Sequence, residues 1–151
     1  MNLINHNSLI KSKGDIYQDC YWHPSDISLQ YDLKIKVQVC PERDTPVTDE
    51  MIGMVNSCLT SLKQDISSIM EIAQNYYNNV FDQDFGLEGV PRDPEPSALA
   101  PHFGEGILYV GDADEEGEPI HNYLFFPIAW DEEHGFYLEL KNDKWGYADG
   151  F

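Results

Sequence analysis

The apolar residues between Thr48 and Val80 recur every three or four positions, and no proline interrupts them. This spacing predicts one long amphipathic helix with a polar face opposite the apolar one. Thr48 can cap the first turn, and Asp49 and Glu50 suit the positive end of the helix dipole. At a rise of about 1.5 Å per residue the helix would be roughly 45 to 50 Å long, so we expect one end to bend or protrude from a small domain.

The first half of the chain has the pattern of two strands. Residues 28–39 alternate between apolar and polar positions, which predicts a strand with one solvent-exposed face. Residues 15–22 alternate in the same way and end in a turn-forming His-Pro-Ser-Asp sequence. We expect the two strands to form an antiparallel hairpin whose apolar face is covered by the long helix.

The second half predicts about four more strands. Residues 106–110 and 122–129 are near-continuously apolar, which is typical of strands that are central in a sheet or buried on both faces. Residues 136–140 and 144–147 flank an Asn-Asp pair, which indicates a final hairpin. The predicted fold class is α+β, with a long amphipathic helix packed on one antiparallel sheet of about six strands. We expect residues 1–151 to form a single domain.

Residues 81–105 contain four prolines and three glycines. This composition excludes a long helix or a central strand and predicts a long acidic, proline-rich loop. Loops of this length are uncommon inside compact domains and are often functional. A disordered surface excursion is the alternative interpretation.

The chain carries a formal net charge of −18. This charge disfavours nucleic acid and anionic membranes as direct ligands, because both require the lysines and arginines that the chain lacks. Residues 82–133 hold fourteen of the 27 carboxylates and a single cation, Arg92. The clustering indicates a binding role for a basic protein or a metal cation, although acidic loops that only maintain solubility remain the alternative.

The three cysteines, Cys20, Cys40 and Cys58, form no C-x-x-C pair, and the first twenty residues lack the apolar core of a signal peptide. We therefore expect reduced thiols and a cytoplasmic location. The longest apolar run, Tyr123 to Trp130, has eight residues and contains a proline. It is far shorter than the roughly 20 residues that span a bilayer, so no membrane segment is expected.

Segment 112–118 resembles the opening of a calcium-binding loop. Carboxylates occupy its first, third and fifth positions and a glycine its sixth, as in an EF-hand. The twelfth position, which should be a bidentate glutamate, is Tyr123, and strands are expected on both sides, so an EF-hand is excluded. A solvated hairpin tip is one interpretation, and a non-standard divalent-cation site is the other. Its candidate ligands are Asp112, Asp114, Glu116 and Glu118.

Segment 130–135, Trp-Asp-Glu-Glu-His-Gly, places three carboxylates and an imidazole between two apolar strands. Asp131, Glu133 and His134 have side chains suited to acid–base chemistry or metal binding. The alternative is a connecting turn in which Gly135 adopts a backbone conformation that other residues resist. The sequence has no G-x-S-x-G, H-E-x-x-H or phosphate-binding glycine motif, so we do not expect an enzyme.

The same W-D-x-E-H-G motif is followed by the strand Phe136–Leu140 and by Trp-Gly-Tyr-Ala-Asp at 145–149. This combination resembles a group of small acidic bacterial domains, many of which are suspected to be immunity-like proteins from polymorphic toxin loci. In that group, too, a long mid-chain helix precedes the motif. The group has no assigned catalytic residues, and the resemblance does not extend to loop 82–105. The matching residues are Trp130, Asp131, Glu133, His134, Gly135 and Gly146.

We therefore expect a non-enzymatic, immunity-like binding protein that neutralises a basic partner, such as a nuclease toxin, by occupying its cationic groove. Charge complementarity would raise the association rate and the specificity, and exposed aromatic residues amid the acid would anchor the partner. Under this binding-protein hypothesis, no cofactor and no bound metal are expected. The predicted partner-binding residues are Asp112, Asp114, Glu115, Glu116, Glu118, Asp131, Glu132, Glu133, His134, Phe85, Phe103, Tyr109 and Tyr123.

Overall fold

The computed structural model describes residues 4–11, 20–42, 45–64, 66–111 and 120–148. These residues form one eight-stranded sheet with helices packed on it, so the α+β class is confirmed. The strands are β1 (Ile10–Lys11), β2 (Tyr21–Trp22), β3 (Ile27–Ser28), β4 (Lys34–Cys40), β5 (Gly106–Gly111), β6 (His121–Phe126), β7 (Phe136–Lys141) and β8 (Lys144–Tyr147). The sheet has the strand order β1-β2-β4-β5-β6-β7-β8, and β3 also pairs with β4. The helices are α1 (Asp49–Gln64), α2 (Ser67–Asp82) and α3 (Pro96–Leu99).

The prediction of one long helix is wrong, because this stretch forms two helices of 16 residues each. At about 1.5 Å per residue each is about 24 Å long, which a small sheet can support without an overhanging end. Leu62 and Ile66, on either side of the break, are both buried. The predicted apolar stripe therefore continues across the junction although the helix does not. The start of α1 is as expected, since the Thr48 hydroxyl accepts from the Met51 amide over 3.1 Å.

The sheet is mixed, so the prediction of a purely antiparallel sheet of about six strands is also wrong. Strands β4 and β5 are parallel, with Val37 opposite Leu108, and the other described pairs are antiparallel. The chain leaves β4, passes through α1 and α2, and returns beside β4 in the same direction, as a crossover connection requires.

The strand predicted at 28–39 begins only at Lys34. Residues before it form a tight turn in which Tyr31 and Asp32 both have φ 60°, and the turn leads back to the short strand β3. Strands β2 and β3 each pair antiparallel with β4, so the expected hairpin is split into two short partners. Most of the predicted strand at 15–22 lies outside the described residues.

Alternate residues of β4 to β7 face the helices and form the core with α1 and α2. The apolar runs in β5 and β6 are central in the sheet, but only one face of each strand is fully buried. The opposite face carries half-buried residues, many of them aromatic. The fully buried strand residues include Ile35, Val37, Val39, Leu108, Val110, Leu124, Phe126 and Leu138.

Segment 81–105 packs against the core along part of its length. Helix α3 and a following 3-10 helix, Ala100–His102, lie within it. Val90, Leu99 and Ala100 are buried in the core cluster. The segment has no long helix, as predicted, and these contacts hold it as an ordered part of the fold.

A disulfide joins Cys20 to Cys40, so the expectation of reduced thiols is wrong for these two residues. Tyr21 and Val39 are paired across β2 and β4, and the next pair along brings the two cysteine Cα atoms within 4.3 Å of each other. Cys58 is free and buried, and burial raises the pKa of its thiol to about 12. Within the described part of the chain, no helix has the length and apolar character needed to cross a membrane.

Candidate functional site

Two segments that are far apart in the sequence meet at one end of the sheet. Segment 82–105 leads into the start of β5, and segment 127–135 joins the end of β6 to the start of β7. The amide of Gly104 donates to the carbonyl of Pro127 over 2.7 Å, and the amide of Ala129 donates to the carbonyl of His102 over 2.9 Å. We call the surface formed by these two segments the acidic end.

The acidic end holds nine of the fourteen clustered carboxylates and one arginine. Arg92 lies 2.9 Å from Asp82 and 3.2 Å from Asp93, and all three side chains are at least half exposed. Such exposed ion pairs contribute little to stability. Most of the negative charge therefore has no lysine or arginine beside it within these two segments. The nine carboxylates are Asp82, Asp84, Glu88, Asp93, Glu95, Glu105, Asp131, Glu132 and Glu133.

Tyr77 of α2 holds the first of the two segments. Its side chain is fully buried, and its hydroxyl donates to the carbonyl of Val90 over 2.5 Å and accepts from the amide of Leu87 over 2.9 Å. The next residue, Asn78, exchanges two hydrogen bonds of 2.8 Å with Asp93. Side chains of one helix turn thus fix the backbone that presents the acidic residues of this segment.

Tyr76, the preceding residue of α2, holds the second segment through the Asp131 carboxylate, to which its hydroxyl donates. The other carboxylate oxygen accepts from the backbone amide of His134 over 3.1 Å and lies 3.0 Å from its ring Nδ1. Burial alone would raise the pKa of Asp131, but the hydrogen bonds from Tyr76 and His134 outweigh it and lower the pKa. Burial and the bond to Asp131 raise the pKa of Tyr76. The pair is therefore an ionised carboxylate held by a neutral phenol.

Gly135 completes the turn with φ 74°, a left-handed conformation that favours glycine. A side chain at this position would also collide with the ring of Phe125. The predicted role of Gly135 as a turn residue is confirmed. The turn in this form directs Asp131 toward α2 and leaves Glu132, Glu133 and His134 exposed.

A cavity of about 530 Å³ opens beside Asp131, between α2, the turn and the end of β8. The rings of Tyr76, Phe136 and Tyr147 contact one another with centroids 6.2 to 6.3 Å apart and form an aromatic wall. Among the described residues that line it, none is a lysine or an arginine. The lining consists of Tyr76, Asp131, Glu133, His134, Gly135, Phe136, Tyr137, Tyr147 and Ala148.

The other predicted partner-binding residues are distributed over the molecule. Phe85 is 71% exposed and lies at the acidic end. Phe103 is also in this region, but its ring is partly buried and packs against the core residues Phe126, Trp130 and Phe136. Tyr109 and Tyr123 stack with centroids 6.2 Å apart on the sheet face opposite the helices.

The acidic residues Asp112, Asp114, Glu115, Glu116 and Glu118 lie outside the described residues. The strand ends that flank them, Gly111 and His121, are paired at the end of the sheet opposite to segment 127–135. The cation site proposed for this segment therefore has no described geometry. Within the described residues, no group of three or more histidine, cysteine or acidic side chains is arranged to hold a metal ion.

Sequence reasoning missed Tyr76 and Tyr147 as cavity residues. The periodicity places Tyr76 on the apolar face of the predicted helix, and Tyr147 lies in the predicted final strand; neither position indicates a cavity. A partly buried tyrosine hydroxyl usually has a hydrogen-bond partner, so two consecutive tyrosines on an apolar helix face were a usable signal. That signal does not identify the partner, because Asp131 is 55 positions away in the chain.

Comparisons with curated proteins and with solved structures gave no match for this chain. Residues 12–151 match a family described as Domain of unknown function (DUF6985). The match includes both segments of the acidic end and every residue that lines the cavity. The family description carries no statement about toxins or immunity. On this match over nearly its full length, the chain belongs to the DUF6985 family.

Proposed function

We propose that this protein is a non-enzymatic binding module whose acidic end engages a basic protein partner. The observation that supports the proposal is that segments 82–105 and 127–135 meet. The surface that they form holds nine carboxylates and only one arginine within these two segments. A concentrated field of one sign raises the association rate of an oppositely charged partner by about 10- to 1,000-fold. It also disfavours partners of like charge.

Exposed aromatic residues at the acidic end and directly beside it supply the apolar contacts that such an interface needs. Phe85 is 71% exposed and Phe81 is 36% exposed, and both lie beside Asp82 and Asp84 in the chain. Aromatic side chains contribute a large share of the binding energy of protein interfaces. Phe85 is therefore the favoured anchor among the predicted aromatic residues.

The specific form of this proposal is an immunity-like role, in which the acidic end occupies the cationic substrate groove of a toxin. It draws on the resemblance of the Trp130–Gly135 motif to immunity-like domains. The cytoplasmic location expected from the sequence remains a prediction. The disulfide between Cys20 and Cys40 weighs against it, because structural disulfides are rare in a reducing cytosol.

The test compares two variants that remove the same number of charges, one from the acidic end and one from segment 112–116. One replaces Asp84, Glu88, Glu132 and Glu133 by their amides, and the other replaces Asp112, Asp114, Glu115 and Glu116 in the same way. Small basic proteins encoded beside the gene for this chain are the partners to be tested. Association is followed by stopped-flow fluorescence at about 0.01 M and about 0.15 M ionic strength, where the Debye length is about 30 Å and 8 Å.

We expect the acidic-end variant to associate at least about tenfold more slowly at low ionic strength and the other variant to retain most of the rate. The difference should shrink at the higher ionic strength. Equal rates for both variants and the wild type, or no binding by any of the basic proteins, would contradict the proposal. A loss confined to the 112–116 variant would move the binding surface to that segment, and a calorimetric calcium titration of the same variant then tests the divalent-cation alternative.

A further inference from the structure

We propose that the cavity beside Asp131 receives the guanidinium group of an arginine side chain. This inference rests on the proposed function, because it assigns a ligand class to one position within the acidic end. Three features of the cavity support it: an aromatic wall, a fixed carboxylate, and a second carboxylate that has no partner among the described residues.

The aromatic wall suits the flat face of a guanidinium. Tyr76, Phe136 and Tyr147 are tilted against one another by 44° to 81° and all line the cavity, where Phe136 is buried and the two tyrosines are partly exposed. Tyr147 is 52% exposed, so its ring is accessible from solvent. Cations bind over aromatic faces within about 6 Å of the ring centroid, and arginine does so more often than lysine.

The carboxylates supply the opposite charge. Asp131 is fixed by the Tyr76 hydroxyl on one oxygen and by His134 on the other, and its side chain is 19% exposed. Each carboxylate oxygen has two lone pairs, so Asp131 can still accept from a ligand. Glu133 also lines the cavity and, within the described part of the chain, has no hydrogen-bond or ion-pair partner.

The chemistry of the cavity favours arginine over the other biological cations. An ammonium group is compact and strongly hydrated, so it loses more hydration beside aromatic walls than a guanidinium does. A guanidinium combines stacking on a ring with paired hydrogen bonds to a carboxylate. The volume of about 530 Å³ falls within the range of about 300 to 1,000 Å³ that is usual for ligand pockets.

The test uses small probes and does not require the partner. The intact protein is titrated with N-acetyl-arginine-N-methylamide while its backbone amides are followed by two-dimensional NMR. The matched neutral probe is the citrulline analogue, which has nearly the same shape and no charge, and the lysine analogue is the second cation. We expect saturable shifts at Gly135, Tyr137 and Ala148 with the arginine probe, and binding about tenfold weaker with citrulline and several-fold weaker with lysine.

Two variants locate the binding. Glu133→Gln should weaken binding of the arginine probe about three- to tenfold, whereas Glu132→Gln, which removes the same charge outside the cavity, should change it less than about twofold. Tyr147→Leu should weaken it to a similar extent as Glu133→Gln, with the fold checked by an unchanged NMR spectrum of the core. Equal binding of the arginine and citrulline probes, or equal effects of the two glutamine variants, would overturn the inference.

The outcome is separable from that of the proposed function. If a basic partner binds with the expected salt dependence while the arginine probe shifts no signal at the cavity, only the cavity assignment fails. If the probe binds at the cavity and none of the basic proteins binds, the cavity assignment stands and the proposed function fails.

Discussion

Two neighbouring tyrosines of α2 hold the two halves of the acidic end in different ways. Tyr77 is fully buried, and both partners of its hydroxyl, Leu87 and Val90, contribute backbone groups. Tyr76 is half-buried, and the partner of its hydroxyl is the side chain of Asp131 at an open cavity. The first tyrosine therefore fixes the path of the chain, and the second fixes the position and charge of a functional group.

The energetic consequences of the two arrangements differ. A buried backbone amide or carbonyl that loses its partner keeps a desolvation penalty of about 1 to 3 kcal/mol. A carboxylate that remains partly exposed, as Asp131 does, can regain water when a hydrogen bond is removed. We therefore expect Tyr77 to contribute mainly to stability and Tyr76 to contribute mainly to binding.

The largest effect is expected when the hydrophobic core is disrupted, since Tyr77 belongs to it and Tyr76 packs against it. Leu62 is buried between the helices and the sheet, and Leu62→Asp would place an unpaired charge there. The cost of several kcal/mol is comparable to a total stability of about 5 to 15 kcal/mol, so the variant should be unfolded at room temperature. Thermal melting followed by circular dichroism measures this.

The matched control for this variant is Gln64→Asp, since Gln64 is exposed near the end of the same helix. It should melt within a few degrees of the wild type. Unchanged melting of Leu62→Asp would mean that the helices do not pack on the sheet in the described way.

The next effect isolates the structural tyrosine. Tyr77→Phe removes one hydroxyl and leaves the Leu87 amide and the Val90 carbonyl without that partner. We expect the free energy of unfolding to fall by about 1 to 3 kcal/mol in urea denaturation, with binding of the arginine probe unchanged. A variant that lost probe binding at unchanged stability would reverse the roles assigned to the two tyrosines.

The corresponding change at the cavity is Tyr76→Phe, for which we expect a smaller loss of stability and a higher pKa of Asp131. In the folded protein the pKa of Asp131 is lowered, so its contribution to stability is fully present above the unfolded value of about 3.9 and is lost as the pH falls through the lower folded pKa. Without the tyrosine hydroxyl this loss should occur at higher pH and be smaller in size. NMR titration of the Asp131 carboxyl carbon measures the pKa, and an unshifted value in Tyr76→Phe would contradict the described hydrogen bond.

Local patterns predicted the elements whose stabilising contacts are close in the chain. The Asn142-Asp143 turn is present with φ 53° and 61°, conformations that asparagine and aspartate tolerate. Gly135 and the cap at Thr48 were likewise identified from residue type and position. Leu62 and Ile66 lie in the predicted apolar stripe, and both are buried because burial follows helical spacing even where the helix is interrupted.

The features that could not be predicted depend on how distant segments pair. Local alternation does not encode strand direction, so the parallel pairing of β4 with β5 was missed. The disulfide between Cys20 and Cys40 follows from the register of β2 against β4. The spacing of the cysteines in the sequence does not predict that register. The cavity required knowing that Tyr76 and Asp131 are in contact, which only the packing of α2 on the turn establishes.

The smallest effect on stability is expected for Glu132→Gln, which extends the comparison to a carboxylate that no side chain holds. Glu132 is exposed, and within the described residues it has no hydrogen-bond or ion-pair partner. Surface substitutions of this kind usually change the free energy of unfolding by less than about 0.5 kcal/mol. The variant should therefore melt like the wild type and bind the arginine probe almost as well, and its association with a basic partner should slow only at low ionic strength, where screening is weak.

Asp131→Asn is the informative counterpart, because it removes the same charge from a carboxylate that Tyr76 and His134 hold in place. If the two variants proved equal in melting, in probe binding and in association rate, the hydrogen bonds around Asp131 would have no functional consequence, and the acidic end would act through its net charge alone.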